Sequence, residues 1–352
     1  MRRLQSTALP AGRLTIVWVM ALGCLGVFLS SAEVSTQANQ AGARRAAWPP
    51  VLSAPAAGEV QVLPVQGNVH MIVGAGANIT VQAGNQGVIL VDTGLANMSE
   101  KVVAAIKTIS TRPLRYIINT THYADHTGGN EVIAKTGEII PFREPDYQAG
   151  PQGALDTKKA SVISYLTVFH RMAGADGKPA ARPEGAWPDN TFSTSQKRIS
   201  FTDEPVVIMH QPANTDGNSI VLFRKSDVVS VGDLLDLTGY PMIDLAAGGS
   251  IQSEIEALNR LIDITVPLSN AQGGTMVVPG HGRISDHAEV AYYRDMTTIV
   301  RDRVQDLIKR KMTLAQVKAA RPTRDWDARY GKTTGPWTTD MFVEAVYQSL
   351  SR

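Results

Sequence analysis

Asn119-Thr120-Thr121-His122-Tyr123-Ala124-Asp125-His126-Thr127-Gly128-Gly129-Asn130 follows the apolar run Leu114-Arg115-Tyr116-Ile117-Ile118. A strand that ends in a loop carrying His, Asp and His, then turns on two glycines into a helix, is a good place to hold a metal ion. Strand-end loops are anchored by the sheet yet open to solvent, so imidazole and carboxylate groups can converge there. Two later stretches share this form. Val231-Gly232-Asp233-Leu234 closes one strand candidate on a carboxylate, and Val277-Val278-Pro279-Gly280-His281-Gly282 closes another on an imidazole.

In order and spacing these three stretches resemble the signature of the metallo-β-lactamase superfamily, in which a strand runs into T-H-x-H-x-D-H-x-G-G-N. Asp125, His126, Gly128, Gly129 and Asn130 fall where that pattern puts them. The resemblance implies an α/β fold, the αββα sandwich of that family, over about residues 58 to 310. It also implies that Asp125, His126, Asp233 and His281 are metal ligands, and that Asp92 of Val91-Asp92-Thr93-Gly94 buttresses the metal loop. Where the family carries three further histidines, a gapless alignment puts Thr121, Tyr123 and Asn214. The first of the family's two metal sub-sites is thus stripped of imidazole. His122 lies between two of those positions, and neighbouring residues of an extended loop point to opposite sides.

The N-terminus reads as a targeting segment. Arg2, Arg3 and Arg13 precede an apolar run from Leu14 to Leu29, followed by Ser30-Ser31-Ala32, the parts of a secretory signal peptide at residues 1–32. An uncleaved anchor is the alternative. Cleavage after Ala32 removes three of the 34 basic residues and none of the 32 acidic ones, turning a formal +2 into −1. It also removes Cys24, the only cysteine, so no disulfide forms and any metal is held by His and carboxylate. The expected localisation is periplasmic or secreted, without stable membrane insertion after cleavage. With 43% hydrophobic residues the chain can bury a large core, and no nucleic-acid-binding character shows. Residues 33–57, rich in Ala, Gln, Pro and Ser, read as a tether.

Short alternating segments at Val60 to Val65, Val69 to Val73, Ile79 to Ala83 and Gly87 to Val91 predict an antiparallel meander. Helical spacing follows from Ser99, a candidate N-cap, to Ile109, and again from about 129 to 136 and from Thr157 to Met172. Gly174 to Thr194 reads as a long loop. The second half brings strand candidates at Arg198 to Thr202, Val206 to His210, Ser219 to Arg224 and Val228 to Val231. Helices are expected at Ser250 to Ile264 and His287 to Lys309, then at Met312 to Ala320 and Thr338 to Ser349 in a C-terminal extension, residues 311–352. Of the remaining histidines, His70, His170, His210 and His287 read as core, edge or surface residues.

The resemblance further implies chemistry. The expectation is an exported hydrolase acting on a small-molecule ester, lactone, lactam or thioester. It would use one ion, Zn²⁺ first and Fe or Mn as alternatives, with a second ion only if the first sub-site is rebuilt. Asp233 or Asp125, when free of the ion, could act as general base, with Tyr123 or His122 binding the developing oxyanion. A degenerate member that binds a ligand or partner without turnover is the competing expectation. An iron-based redox enzyme ranks last.

Overall fold

The computed structural model describes residues 55–138, 158–174, 179–201, 204–270 and 273–351. The expected signal peptide and most of the tether lie outside them. Among the described residues no helix is long and apolar enough to cross a membrane.

Seven strands build the first sheet in chain order: β1 (Gln61–Gln66), β2 (Val69–Val73), β3 (Ile79–Gly84), β4 (Gly87–Val91), β5 (Leu114–Asn119), β6 (Ser161–Tyr165) and β7 (Asn190–Phe192). The first four form the antiparallel meander, and β4 to β7 run parallel. Helices α1 (Ser99–Ile109), α2 (Ala124–Thr127), α3 (Asn130–Ala134) and α4 (Leu166–Ala173) belong to this half. The second sheet has the order β13-β12-β11-β10-β9-β8. Its strands are β8 (Gln196–Phe201), β9 (Glu204–His210), β10 (Ser219–Phe223), β11 (Val228–Asp236), β12 (Met276–His281) and β13 (Ser285–Asp286). Helices α5 (Ile251–Ile264), α6 (His287–Lys309), α7 (Leu314–Ala319), α8 (Asp327–Tyr330) and α9 (Thr339–Leu350) complete the chain.

The period-2 alternation of the strands sorts their side chains into three cores, which define four layers. Ile72, Val81, Val88, Leu90 and Ile117 face α1 and α3. Their neighbours Met71, Ile89, Val91, Tyr116 and Ile118 face Ile208, Val221, Phe223 and Val278 of the second sheet. Val229, Val231 and Val277 face the helices on the far side, where Leu258, Tyr293, Val300, Phe342 and Val346 meet them. The result is the expected αββα order, and the C-terminal helices share this third core.

Three local readings are corrected. The stretch Gly174 to Thr194 is not all loop: Asn190–Phe192 within it is β7, the edge strand that pairs with β6. The segment Thr157 to Met172 is not one helix: Ser161–Tyr165 is a strand, and the helix begins at Leu166. Ser-Val-Ile-Ser-Tyr pairs on both sides in a parallel run, and buried strands of that kind lack the alternation that would betray them. Ser99 is the first helical residue and not an N-cap; its hydroxyl donates to Ala96 O at 2.8 Å.

The sheets are joined by polar bonds as well as by the core. Thr80 Oγ1 donates to Ser230 Oγ at 2.8 Å. Asn78 donates from its backbone N–H to Gly280 O (2.7 Å) and from Nδ2 to Pro279 O (3.0 Å) and Gly282 O (2.9 Å). The Pro279-Gly280-His281-Gly282 turn is therefore fixed to the opposite sheet, at the edge where β4, β5, β11 and β12 end.

Candidate metal centre

Asp92 leaves β4 with φ at +62°, a left-handed backbone that a residue with a Cβ adopts only when its surroundings impose it. Its carboxylate accounts for the strain. Oδ1 accepts the Thr120 N–H at 2.8 Å, and Oδ2 accepts the Thr120 hydroxyl at 2.6 Å and lies 2.7 Å from His126 Nδ1. One buried carboxylate thus holds the start of the metal loop and orients its histidine. Thr93 Oγ1 adds a bond to Asn130 Oδ1 (2.8 Å), while Asn130 Nδ2 donates to Asn119 Oδ1 (2.8 Å) and Ala186 O (2.9 Å). Gly129 is required by packing: a Cβ there would lie 2.6 Å from Thr93 O.

With Nδ1 committed to Asp92, His126 aims Nε2 at Asp233 Oδ1, 2.9 Å away. His281 Nε2 lies 3.4 Å from the same oxygen and 3.2 Å from Asp125 Oδ2. Asp125, His126 and His281 can each offer a ligand atom within 4.8 Å of the others. The four residues singled out in the sequence come together, two imidazoles and two carboxylates, from the short helix α2, from within β11 and from the end of β12; β11 runs on past the expected Val231 and carries Asp233 inside it.

Charge is balanced inside this cluster. Burial alone would drive the His126 imidazole down, but the carboxylates of Asp233 and Asp92 outweigh it and raise its pKa well above the usual value. Burial likewise opposes charge on His281, yet bonds to Asp125 and Asp233 lift it to about 10. Desolvation pushes Asp233 upward, and the two imidazoles overcome this and hold it far below the usual carboxylate range. Asp125 is also lowered, its burial outweighed by His281 and His126. Protons between converging nitrogens and oxygens mark the positions a cation would take, and the N/O donor set suits a divalent ion.

Thr121 and Asn214 are fully buried, and among the described residues Thr121 Oγ1 and both amide atoms of Asn214 have no hydrogen-bond partner. Neither side chain offers the imidazole of a zinc sub-site. His122 is not brought into the cluster. Its ring packs on Tyr123 (centroids 4.4 Å apart), and burial together with Arg171 holds its pKa down at about 4. Tyr123 donates its hydroxyl to Asp244 Oδ2 at 3.0 Å, and its pKa is raised by burial and by that carboxylate.

Three residues that the sequence did not single out belong to this neighbourhood. Arg182, from the long loop, donates from Nε to Thr127 Oγ1 at 3.4 Å and feels the charge of Asp125, although burial lowers its pKa overall. Asp244 caps Tyr123. Glu254, in the first turn of α5, is fully buried with both oxygens unpartnered, so burial and the nearby Asp233 charge raise its pKa well above the usual carboxyl value. No local motif marks any of them. The other histidines have ordinary roles: His210 Nε2 bonds Asp216 O (2.7 Å) under Tyr165, and His287 Nδ1 bonds Thr265 Oγ1 (2.9 Å).

Residues 72–281 match the sequence profile of the family described as the metallo-beta-lactamase superfamily. No curated protein matches the chain. Among solved structures, a metallo-beta-lactamase from Pontibacter korlensis is 18% identical with a TM-score of 0.50, over 68% of this chain and 99% of that one. A double mutant of the sec-alkyl sulfatase PisA1 is 12% identical with a TM-score of 0.57, over 82% of this chain and 50% of that one. At such identities the likeness is one of fold.

Proposed function

Since the chain belongs to the metallo-β-lactamase superfamily, we propose that it is an exported hydrolase that works with one divalent metal ion. Asp125, His126, Asp233 and His281 would hold the ion. The observation that carries this reading is the meeting of Asp125, His126 and His281 within 4.8 Å, with Asp233 Oδ1 between the two imidazoles. Export rests on the sequence pattern of residues 1–32. The substrate is a small ester, lactone, lactam or thioester. When bound, the ion supplies Lewis acidity, making water nucleophilic near neutral pH and polarising the scissile carbonyl.

The chain's own residues do the rest. Asp92 fixes the ring of His126 so that Nε2 faces the cluster, and Asp233 bridges both imidazoles. Asp125, part-exposed and held through His281, would take a proton from the attacking water once released from the ion. Arg182, held on Thr127 next to the metal loop, would supply the positive charge that a developing oxyanion needs. Tyr123 has its single proton committed to Asp244, so it shapes the site before it donates to substrate. A silent binding protein is the second reading, favoured by Thr121, Tyr123 and Asn214 standing where the family carries histidines.

The test is metal-dependent turnover. The chain loaded with Zn²⁺, Mn²⁺ or Fe²⁺ should hydrolyse a member of an ester, lactone, β-lactam and thioester panel. Chelation should abolish this, and Asp125→Asn should remove it without unfolding the protein. Full metal loading with no turnover on any class would favour the binding protein.

A further inference from the structure

Helix α9 forms one wall of a cavity of about 440 Å³ whose other wall is the segment 242–245 and which reaches Tyr123. This volume falls in the range of small-molecule sites. Tyr123 is two residues before Asp125 in the metal loop, and the 242–245 segment is tied to the emptied sub-site through the Asp244 N–H, which donates to Asn214 O at 2.9 Å. The cavity therefore reaches the metal loop at Tyr123, and its 242–245 wall is tied to Asn214. Both walls are firmly set. Tyr240 stacks on Phe342 of α9 (centroids 4.8 Å, 3° between planes), and Phe342, Val343 and Val346 anchor the helix in the third core.

The lining decides what fits. Met242, Ile243, Leu245, Trp337, Met341 and Ala345 present apolar surface. The polar groups among them are already paired within the protein. Asp244 accepts the Tyr123 hydroxyl on Oδ2 and the N–H groups of Ala246 (3.0 Å) and Ala247 (2.9 Å) on Oδ1. Glu344 accepts Lys318 Nζ at 2.7 Å and Gln348 Nε2 at 3.1 Å, and Trp337 Nε1 donates to Pro241 O at 3.2 Å. These groups are mostly engaged within the protein, so a polar guest gains little here over the bonds it makes in water, whereas hydrocarbon gains by leaving water for the apolar lining. The carboxylates of Asp244 and Glu344 also disfavour an anionic guest.

We propose that this cavity binds an uncharged hydrocarbon acyl or alkyl group of the substrate, with the bond to be cleaved at the Tyr123 end beside the metal cluster. This rests on the hydrolase reading for the substrate's reacting end, but the cavity's preference for hydrocarbon can be tested by binding alone. The probe is octanamide, a neutral amide, with acetamide as control, followed by calorimetry on the full chain. A parallel series uses p-nitrophenyl acetate and octanoate. Two variants alter the cavity away from the metal cluster: Ala345→Trp fills it, and Met341→Lys places a charge on its more exposed rim.

Octanamide should bind at least tenfold tighter than acetamide, and each variant should remove at least tenfold of that affinity. The KM for the octanoate ester should rise similarly, while kcat/KM for the acetate ester stays within twofold. Should Ala345→Trp fail to fold, Met341→Lys decides. Octanamide binding that is absent, or that survives the variants unchanged, would overturn the proposal. Variant-sensitive binding by the metal-loaded chain, with no turnover of these esters or of any lactone, lactam or thioester, would uphold the cavity and remove the hydrolase reading.

Discussion

Gly232→Ala tests how tightly the metal loop is built into the sandwich. Gly232 has φ at +53°, and a Cβ on it would lie 2.2 Å from Thr120 Oγ1 and 2.7 Å from Thr120 Cβ. The left-handed backbone costs an alanine about 1–2 kcal/mol, and relieving the overlap by moving packed groups costs about 1–3 kcal/mol more. The total is roughly 2–5 kcal/mol. Thr120 is the group that must give way, and its hydroxyl and N–H are the ones that hold Asp92. The substitution should therefore reach His126 through Asp92 and lower metal content as well as stability. Gly58→Ala is the control: φ is +78°, but nothing lies within 4 Å of the added Cβ. It should lose only the backbone share, partly offset by the stiffer unfolded chain. Denaturant unfolding and elemental analysis of both variants give the comparison. Equal stability losses with full metal content in Gly232→Ala would refute the coupling from Gly232 through Thr120 and Asp92 to the cluster.

Further outcomes follow from the same geometry. Asp92→Asn removes the carboxylate that orients His126 from behind, and should weaken Zn²⁺ binding by about 10- to 100-fold in a competition titration; unchanged affinity would mean that the ring is held by packing alone. Because metal must displace protons from His126 and His281, both raised above the ordinary imidazole value, apparent affinity should climb with pH, up to about tenfold per unit for each proton released. A pH-independent titration would contradict the cluster described here. Glu254 keeps its proton in the folded chain and loses it in the unfolded one, so its contribution is present at low pH and lost as pH rises above the usual carboxyl range. Glu254→Gln should gain on the wild type by up to about 1.4 kcal/mol per pH unit in that window; parallel stability curves would show the group to be ionised or solvated. The triple change Thr121→His, Tyr123→His and Asn214→His should restore a second equivalent of bound metal, and a variant still limited to one ion would place these residues away from the missing sub-site.

The fold was legible because each sandwich strand carries a period-2 stripe for one core and a second stripe for another. Val69 to Val73 and Gly87 to Val91 read correctly from their apolar residues and the glycines between them, as did the helix from His287 to Lys309 from its apolar spacing and mixed charged face. The strand Ser161–Tyr165 did not, because it runs straight into the helix Leu166–Ala173 with no turn residue between them, so the whole stretch read as helix. The convergence of Asp125, His126, Asp233 and His281 could be anticipated because each follows an apolar strand run and stands beside turn glycines. Arg182, Asp244 and Glu254 reach the same neighbourhood from a long loop, a strand-to-helix connection and a helix interior, where sequence spacing carries no information about distance. His122 shows the converse. It is a histidine inside the motif, yet it packs on Tyr123 and faces Arg171 and Arg182.

Metal stoichiometry on the full chain, purified without chelator and read by elemental mass spectrometry beside His126→Ala, is the most direct test of the central claim. The account predicts about one divalent ion per wild-type chain and a large loss in the variant. Two ions per chain, or none after Zn²⁺, Mn²⁺ and Fe²⁺ have each been supplied, would contradict it.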